Sequence, residues 1–269
     1  VRRIQIRTRH RVADLFGGQY HSVFKGQGLE FHEVREYVPG DDIRAIDWNV
    51  TAREGRPYVK KYIEERELTV ILAVDASGSQ RFGSHAQLKK DLAAEIAGVL
   101  AFSAIANQDR VGLLLFTDRV ELYVPPDKGS RHVLRILREL LTFPCAGTGT
   151  AMRPALDRLQ AVVRRRAVVF LISDFLAPGD CDRALLTAAK RHDLVAVRIA
   201  DRREDAWPKA GLVAWEDAET GAAWLVDTSN AEVRRKLAAA RNEERETLLA
   251  RLRSGGIDII EVSTGTPYE

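Results

Sequence analysis

Four short runs of the chain are apolar at nearly every residue: 70–75 (VILAVD), 109–116 (DRVGLLLF), 167–175 (AVVFLISDF) and 193–200 (DLVAVRIA). A strand with one wet face alternates apolar and polar residues; these do not, so each is expected to be covered on both faces. Between them lie segments with helical character, at 87–107, from the loop after Cys145 to about 164, and at 180–191. The helix over 87–107 carries Leu92, Ile96, Val99, Leu100 and Ile105 nearly all round its surface, which predicts a buried helix. Strands alternating with helices predict an α/β fold in three layers: a mainly parallel sheet with helices on both faces.

One pair of strands breaks the parallel pattern. RVELYV (119–124) follows the strand ending at Phe116 after only Thr117-Asp118, so the two form a tight hairpin and leave one antiparallel edge strand. Pro125-Pro126 is expected to end it, and Ser130 to cap a helix to Leu141. Residues 201–211 read as a loop, and 211–228 as an inserted hairpin turning near Glu219–Gly221. A long mixed-charge helix over about 231–253 is stopped by Gly255-Gly256, and IDIIEVS (257–263) is the last strand.

The segment before Thr69 has another texture and is expected to form an extension, residues 1–68, packed on a core domain of residues 69–269. Pro39-Gly40 predicts a turn, and Asp41 or Asp42 a cap for a short helix presenting Ile43 and Ile46 on one face. The run YVKKYIEERELTV looks extended. Glu30, Glu33, Glu36, Asp41, Asp42 and Asp47 offer a second metal or catalytic site as the minor alternative; they are expected instead to serve Arg35, Arg44 and Arg53 as salt bridges and caps, with Trp48 in the core.

Charge and composition narrow the function. The net charge of +3 is too mild to imply nucleic acid. Residues 1–11 carry five arginines and no acid, which leaves nucleic-acid binding through that arm as a minor alternative to a solubilising segment. Cys145 and Cys181 form neither a CxxC pair nor a metal-ligand spacing and fit a reducing compartment. No apolar region follows the charged N-terminal stretch, and no run approaches the roughly 20 apolar residues of a membrane span. The expectation is a cytoplasmic protein with no membrane span.

In a parallel sheet, sites form beyond the carboxyl ends of the strands. Three polar features fall there. Asp75, Ser77 and Ser79 alternate after the strand at 70–75; Thr148 and Thr150 lie in a loop before a helix; Asp174 follows the strand VVFLIS. All offer oxygen. Small Ala76 and Gly78 let the backbone curl, so that a tight turn can aim both serine hydroxyls at one point. Oxygen-only sets suit hard cations, Mg²⁺ first, with Mn²⁺ or Ca²⁺ as alternatives. Taken singly, each feature is an ordinary turn or cap; the combination points to metal.

Asp75-x-Ser77-x-Ser79, then Thr150 before AMRPAL, then Asp174 in LISDF, resembles the metal-ion-dependent adhesion site of von Willebrand factor A domains. Upstream, GQGLEFHEVREYVPGDDIRAIDWNVTAR and YVKKYIEERELTVILAVD resemble the bacterial "domain of unknown function 58" family. The resemblance implies a von Willebrand factor A-like (Rossmann-like) domain. Within it Ser77, Ser79 and Thr150 would ligate the cation directly, and Asp75 and Asp174 would act mostly through water. Thr148 lies outside the matching position. Gln80 stands where a methionine often follows the second serine, a departure that touches packing rather than ligation.

Mostly neutral ligands leave the ion electrophilic, so a partner protein's carboxylate can take its open position. The resemblance therefore implies a non-enzymatic, metal-dependent protein-interaction module. It also implies a MoxR-type AAA+ ATPase beside it in client-protein maturation or remodelling. The competing reading is a hydrolase or phosphotransferase using the ion as a Lewis acid. Against it, the histidines at 10, 21, 32, 85, 132 and 192 show neither HxxxH nor HExxH spacing, and no P-loop or GxSxG elbow occurs.

Overall fold

A computed structural model describes residues 30–63, 67–84, 87–176, 181–205 and 207–265. The arginine arm at 1–11 lies outside the described residues. The described residues divide into two compact units, those up to Leu68 and those from Thr69 onward.

In the first unit, β1 (Glu30–Glu36) pairs antiparallel with β2 (Tyr58–Ile63). Between them the Asp41 amide donates to the Val38 carbonyl at 3.0 Å, closing the turn at Pro39-Gly40. Asp42 caps a 3-10 turn, Ile43–Ala45. Asp47 caps a second helix, α1 (Trp48–Glu54), by accepting from the amides of Asn49 and Val50. Arg35 forms a two-pronged ion pair with Asp41 at 2.6 and 2.8 Å, and Arg56 pairs with Glu36 at 3.4 Å. One expectation fails here: Trp48 is 68% exposed, because the cap at Asp47 makes it the first, outward residue of α1.

The second unit carries a six-stranded sheet. Its strands are β3 (Thr69–Asp75), β4 (Arg110–Phe116), β5 (Val120–Asp127), β6 (Val168–Ser173), β7 (Asp193–Ala200) and β10 (Asp258–Ser263). Their spatial order is β10-β7-β6-β3-β4-β5, all parallel except β5, which runs antiparallel along the β4 edge. This is the expected mainly parallel, three-layer arrangement with one antiparallel edge strand. Contrary to expectation, β5 runs through Pro125-Pro126 to Asp127. Proline lacks an amide to give a ladder, and an edge strand has a free side on which that lack costs nothing.

Helices α2 (Lys89–Ala106), α3 (Ser130–Thr142), α4 (Met152–Val162), α5 (Asp182–Arg191) and α7 (Ala231–Ser254) cover the sheet. On one face Leu156, Leu159, Leu185, Ala188 and Leu252 pack on Ile71, Ala73, Val169, Leu171 and Ala196. The other face is covered by α2, which packs against β3, β4 and α3. There Leu92, Leu100, Ile136 and Leu137 are almost fully buried, each contributing roughly 1.5–3 kcal/mol. Gly129, not Ser130, precedes the first turn of α3. The expected loop after Ala200 contains a one-turn helix, α6 (Arg202–Asp205). The inserted hairpin is present as β8 (Leu212–Glu216) and β9 (Ala223–Asp227).

Candidate functional site

The strand order reverses direction at β3: the chain leaves it for β4 on one side and later places β6 on the other. Such switch points open a crevice at the carboxyl ends of the strands. Asp75 is the last residue of β3, and Asp174 follows β6 directly. Because Val74 pairs with Ile172, the next rung sets Asp75 beside Ser173. The Ser173 hydroxyl donates to Asp75 Oδ2 at 2.7 Å, and the Ser77 amide donates to Asp75 Oδ1 at 2.9 Å. The second contact closes an Asx-type turn that ends the strand.

Ser77 then precedes a 3-10 turn, Gly78–Arg81, without spending its hydroxyl on a cap. That hydroxyl lies 3.1 Å from the Ser79 hydroxyl. The alternation in DASGS therefore does bring its two hydroxyls together. The threonine loop is tied in by backbone. The Gly78 amide donates to the Thr148 carbonyl at 2.7 Å, and the Ala151 amide to the Thr117 carbonyl at 2.9 Å. Close approach explains two glycines. A Cβ on Gly78 would stand 2.4 Å from the Ala218 carbonyl oxygen, and one on Gly147 would stand 2.2 Å from the buried Thr117 hydroxyl.

Asp174 is held from both sides. Lys89 Nζ donates to its Oδ2 at 2.7 Å, and the Leu176 amide to its Oδ1 at 3.2 Å. Phe175, next in the chain, sits at φ 57°, a left-handed conformation that is uncommon for a bulky residue. Lys89 is fully buried and also donates to Glu204 Oε1 at 2.6 Å. Asp201 makes that contact possible by capping α6, accepting from the Arg203 amide at 2.9 Å.

The electrostatics follow from burial. Loss of water and the charge of neighbouring Asp174 push the Asp75 carboxyl up to about 6 from 3.8, against the hydrogen bonds from Ser173 and Ser77. Burial disfavours the Lys89 charge, but Asp174 and Glu204 outweigh it and hold the ammonium above its ordinary value. Burial raises Glu204, with Lys89 opposing.

Thr150 has a partner that the sequence did not suggest. Its hydroxyl donates to Glu219 Oε1 at 2.5 Å and its amide to Glu219 Oε2 at 3.2 Å. Glu219 stands at the tip of the β8–β9 hairpin, where Asp217 Oδ1 accepts from the amides of Glu219 and Thr220. Trp215 of β8 lies 4.6 Å from Trp207 and 6.4 Å from Phe82, the residue that closes the serine turn, measured between ring centroids.

Of the expected site residues, Asp75, Ser77, Ser79 and Asp174 belong to one hydrogen-bonded and electrostatically coupled group. Thr150 is joined to it through Thr148 and the hairpin tip. Thr148 contributes its backbone carbonyl. Gln80 is buried, its amide has no hydrogen-bond partner among the described residues, and it lines a cavity of about 300 Å³ with Asp75, Ser77 and Cys145. Sequence reading missed Lys89, Ser173, Glu204 and Glu219. Only Ser173 left a signal, as the polar residue just before Asp174 in a strand of otherwise apolar residues.

Residues 33–247 match the family described as "Protein of unknown function DUF58". The chain belongs to the DUF58 family. Its curated relatives include "Uncharacterized protein Rv1480" of Mycobacterium tuberculosis (strain ATCC 25618 / H37Rv), 35% identical over 82% of this chain and 70% of that protein. "Uncharacterized protein YeaD" of Bacillus subtilis (strain 168) is 25% identical over 58% of this chain and 36% of that protein. Among solved structures, the hypothetical protein BatB from Bacteroides thetaiotaomicron aligns with a TM-score of 0.50 at 16% identity, covering 73% of this chain and 90% of that one. An aerotolerance-related membrane protein from Bacteroides fragilis NCTC 9343 aligns with a TM-score of 0.51 at 14% identity, covering 73% and 92%. At such identities the likeness is one of fold. In this DUF58 chain no described helix is long and apolar enough to cross a membrane.

Proposed function

We propose that this DUF58 protein is a metal-dependent protein-interaction module without catalytic activity of its own. A hard divalent cation, Mg²⁺ in first place and Mn²⁺ or Ca²⁺ otherwise, is held by the hydroxyls of Ser77, Ser79 and Thr150. The observation that carries the reading is the pair of serine hydroxyls 3.1 Å apart, next to two buried carboxylates at the switch point of the sheet.

The donor set fits such an ion. Asp75, Asp174, Glu204 and Glu219 gather around the crevice with Lys89 as the one cation bonded to them among the described residues, a balance that favours added positive charge. Both oxygens of Asp75 and of Asp174 already accept a hydrogen bond. Those two carboxylates therefore suit a role through water, and the hydroxyls suit direct ligation. An ion with neutral direct ligands stays electrophilic and attracts a carboxylate from a partner. Resemblance alone suggests a MoxR-type AAA+ ATPase as partner and a role in client maturation or remodelling; the cysteine spacing and the lack of a membrane-length apolar run support a cytoplasmic setting.

The test uses the purified chain and the MoxR-type ATPase of the same organism. Binding is expected in Mg²⁺, and it is expected to be lost in EDTA and in Ser77→Ala/Ser79→Ala, with the circular dichroism spectrum unchanged. Binding indifferent to both treatments refutes metal dependence.

A further inference from the structure

We propose that the chain carries its own acidic ligand for this site: Glu219, at the tip of the β8–β9 hairpin, binds the cation in cis. It takes the position that the proposed function reserves for a partner's carboxylate. The inference rests on that reading and goes beyond it, because it makes the partner a competitor of a residue already in place.

Three observations lead there. Glu219 grips Thr150 with both oxygens, at 2.5 Å to the hydroxyl and 3.2 Å to the amide. It is thus bonded to Thr150, the hydroxyl of the direct-ligand set that lies outside the serine turn. The tip is also built to stay there. Asp217 orders it through the amides of Glu219 and Thr220, and the Asp217 amide and Ala222 carbonyl close the loop at 2.8 Å. Lastly, the tip and the serine turn are fitted to each other. The Ala218 carbonyl comes so close to Gly78 that no other residue has room there, and Trp215 seats the hairpin beside Phe82.

A carboxylate hydrogen-bonded to a ligand hydroxyl is one small shift from sharing that hydroxyl's ion. An anionic ligand also raises affinity for a hard cation more than a neutral one. The hairpin's outer face leaves Leu212 and Leu225 exposed, at 69% and 72%, so displacement of the tip does not require breaking a large apolar contact on that side.

The experiment is Mn²⁺ titration of the full chain, read by electron paramagnetic resonance of the free ion and by calorimetry. Wild type is compared with Glu219→Gln, Glu219→Ala and Ser77→Ala/Ser79→Ala. Glu219→Gln keeps the shape and is expected to weaken Mn²⁺ binding about tenfold, and Glu219→Ala to weaken it similarly and regain affinity on added acetate. Mn²⁺ affinity unchanged in both Glu219 variants but lost in the double serine variant overturns this inference and leaves the proposed function standing. A loss that acetate does not restore also overturns it, assigning the effect to a displaced hairpin. Mn²⁺ binding that is absent from wild type, or indifferent to the serines, removes both.

Discussion

Replacing Lys89 by methionine should be among the most damaging single changes in the molecule. The ammonium is fully buried, 2.7 Å from Asp174 Oδ2 and 2.6 Å from Glu204 Oε1, and those two side chains are only 2% and 11% exposed. Methionine keeps the length and apolar stem but removes the charge. Each carboxylate then retains one backbone donor, Leu176 for Asp174 and Asp201 for Glu204, which is too little to hold two anions in a dry crevice. Breaking a buried ion pair in this way costs about 3–5 kcal/mol. Urea denaturation in EDTA near neutral pH, followed by circular dichroism, measures the loss. The penalty should shrink as pH falls, because protonation discharges the stranded acids. Lys89→Met/Asp174→Asn/Glu204→Gln removes all three charges and should recover most of the stability. A single-variant loss under about 1 kcal/mol, or a triple variant no more stable than the single one, refutes the account of the triad.

Other outcomes follow from the same physical chemistry. Asp75 titrates at about 6 in the fold against 3.8 ordinarily, so the native state holds its proton more tightly than the unfolded chain. That contribution is complete below 3.8 and is lost as pH rises through about 6; in EDTA it amounts to roughly 3 kcal/mol, and Asp75→Asn should flatten that part of the stability–pH curve. His192 behaves oppositely. It is buried with neither ring nitrogen hydrogen-bonded among the described residues, and burial, with Arg191 nearby, holds its pKa below 6.5. The unfolded chain binds the proton better, so stability falls as pH drops below 6.5; His192→Leu should remove that loss and gain about 1 kcal/mol at neutral pH by thermal or urea unfolding. Gly78→Ala sets a methyl against the Ala218 carbonyl and should cost about 1–3 kcal/mol while weakening Mn²⁺ binding; a variant as stable as wild type argues against the close approach.

The sheet was legible because its central strands are apolar on both faces and its connections read as helices. Periodicity locates such elements without knowing their neighbours. The failures have specific causes. Pro125-Pro126 looked like a stop because a strand's place in a sheet is invisible before the sheet is assembled, and β5 turned out to be an edge. Trp48 looked like core because aromatic residues usually are, but the Asp47 cap fixed its direction outward. At the site, the alternation in DASGS revealed the convergent serine hydroxyls, since they depend on a local turn. Lys89 and Glu219 were not legible. Lys89 reaches an acid 85 positions away, and Glu219 a threonine 69 positions away, along contacts that only the tertiary fold creates.

The aromatic seat of the hairpin gives the molecule an optical gauge. Of the four tryptophans, Trp207, Trp215 and Trp224 lie on or just before the hairpin, and Trp48 belongs to the other unit. The Trp207–Trp215 contact at 4.6 Å and the neighbouring Phe82 tie their emission to the place where the tip meets the serine turn. Lifting the tip would wet Trp215 and redshift its fluorescence, so that ion binding and tip displacement become two separately recordable signals from one unlabelled sample.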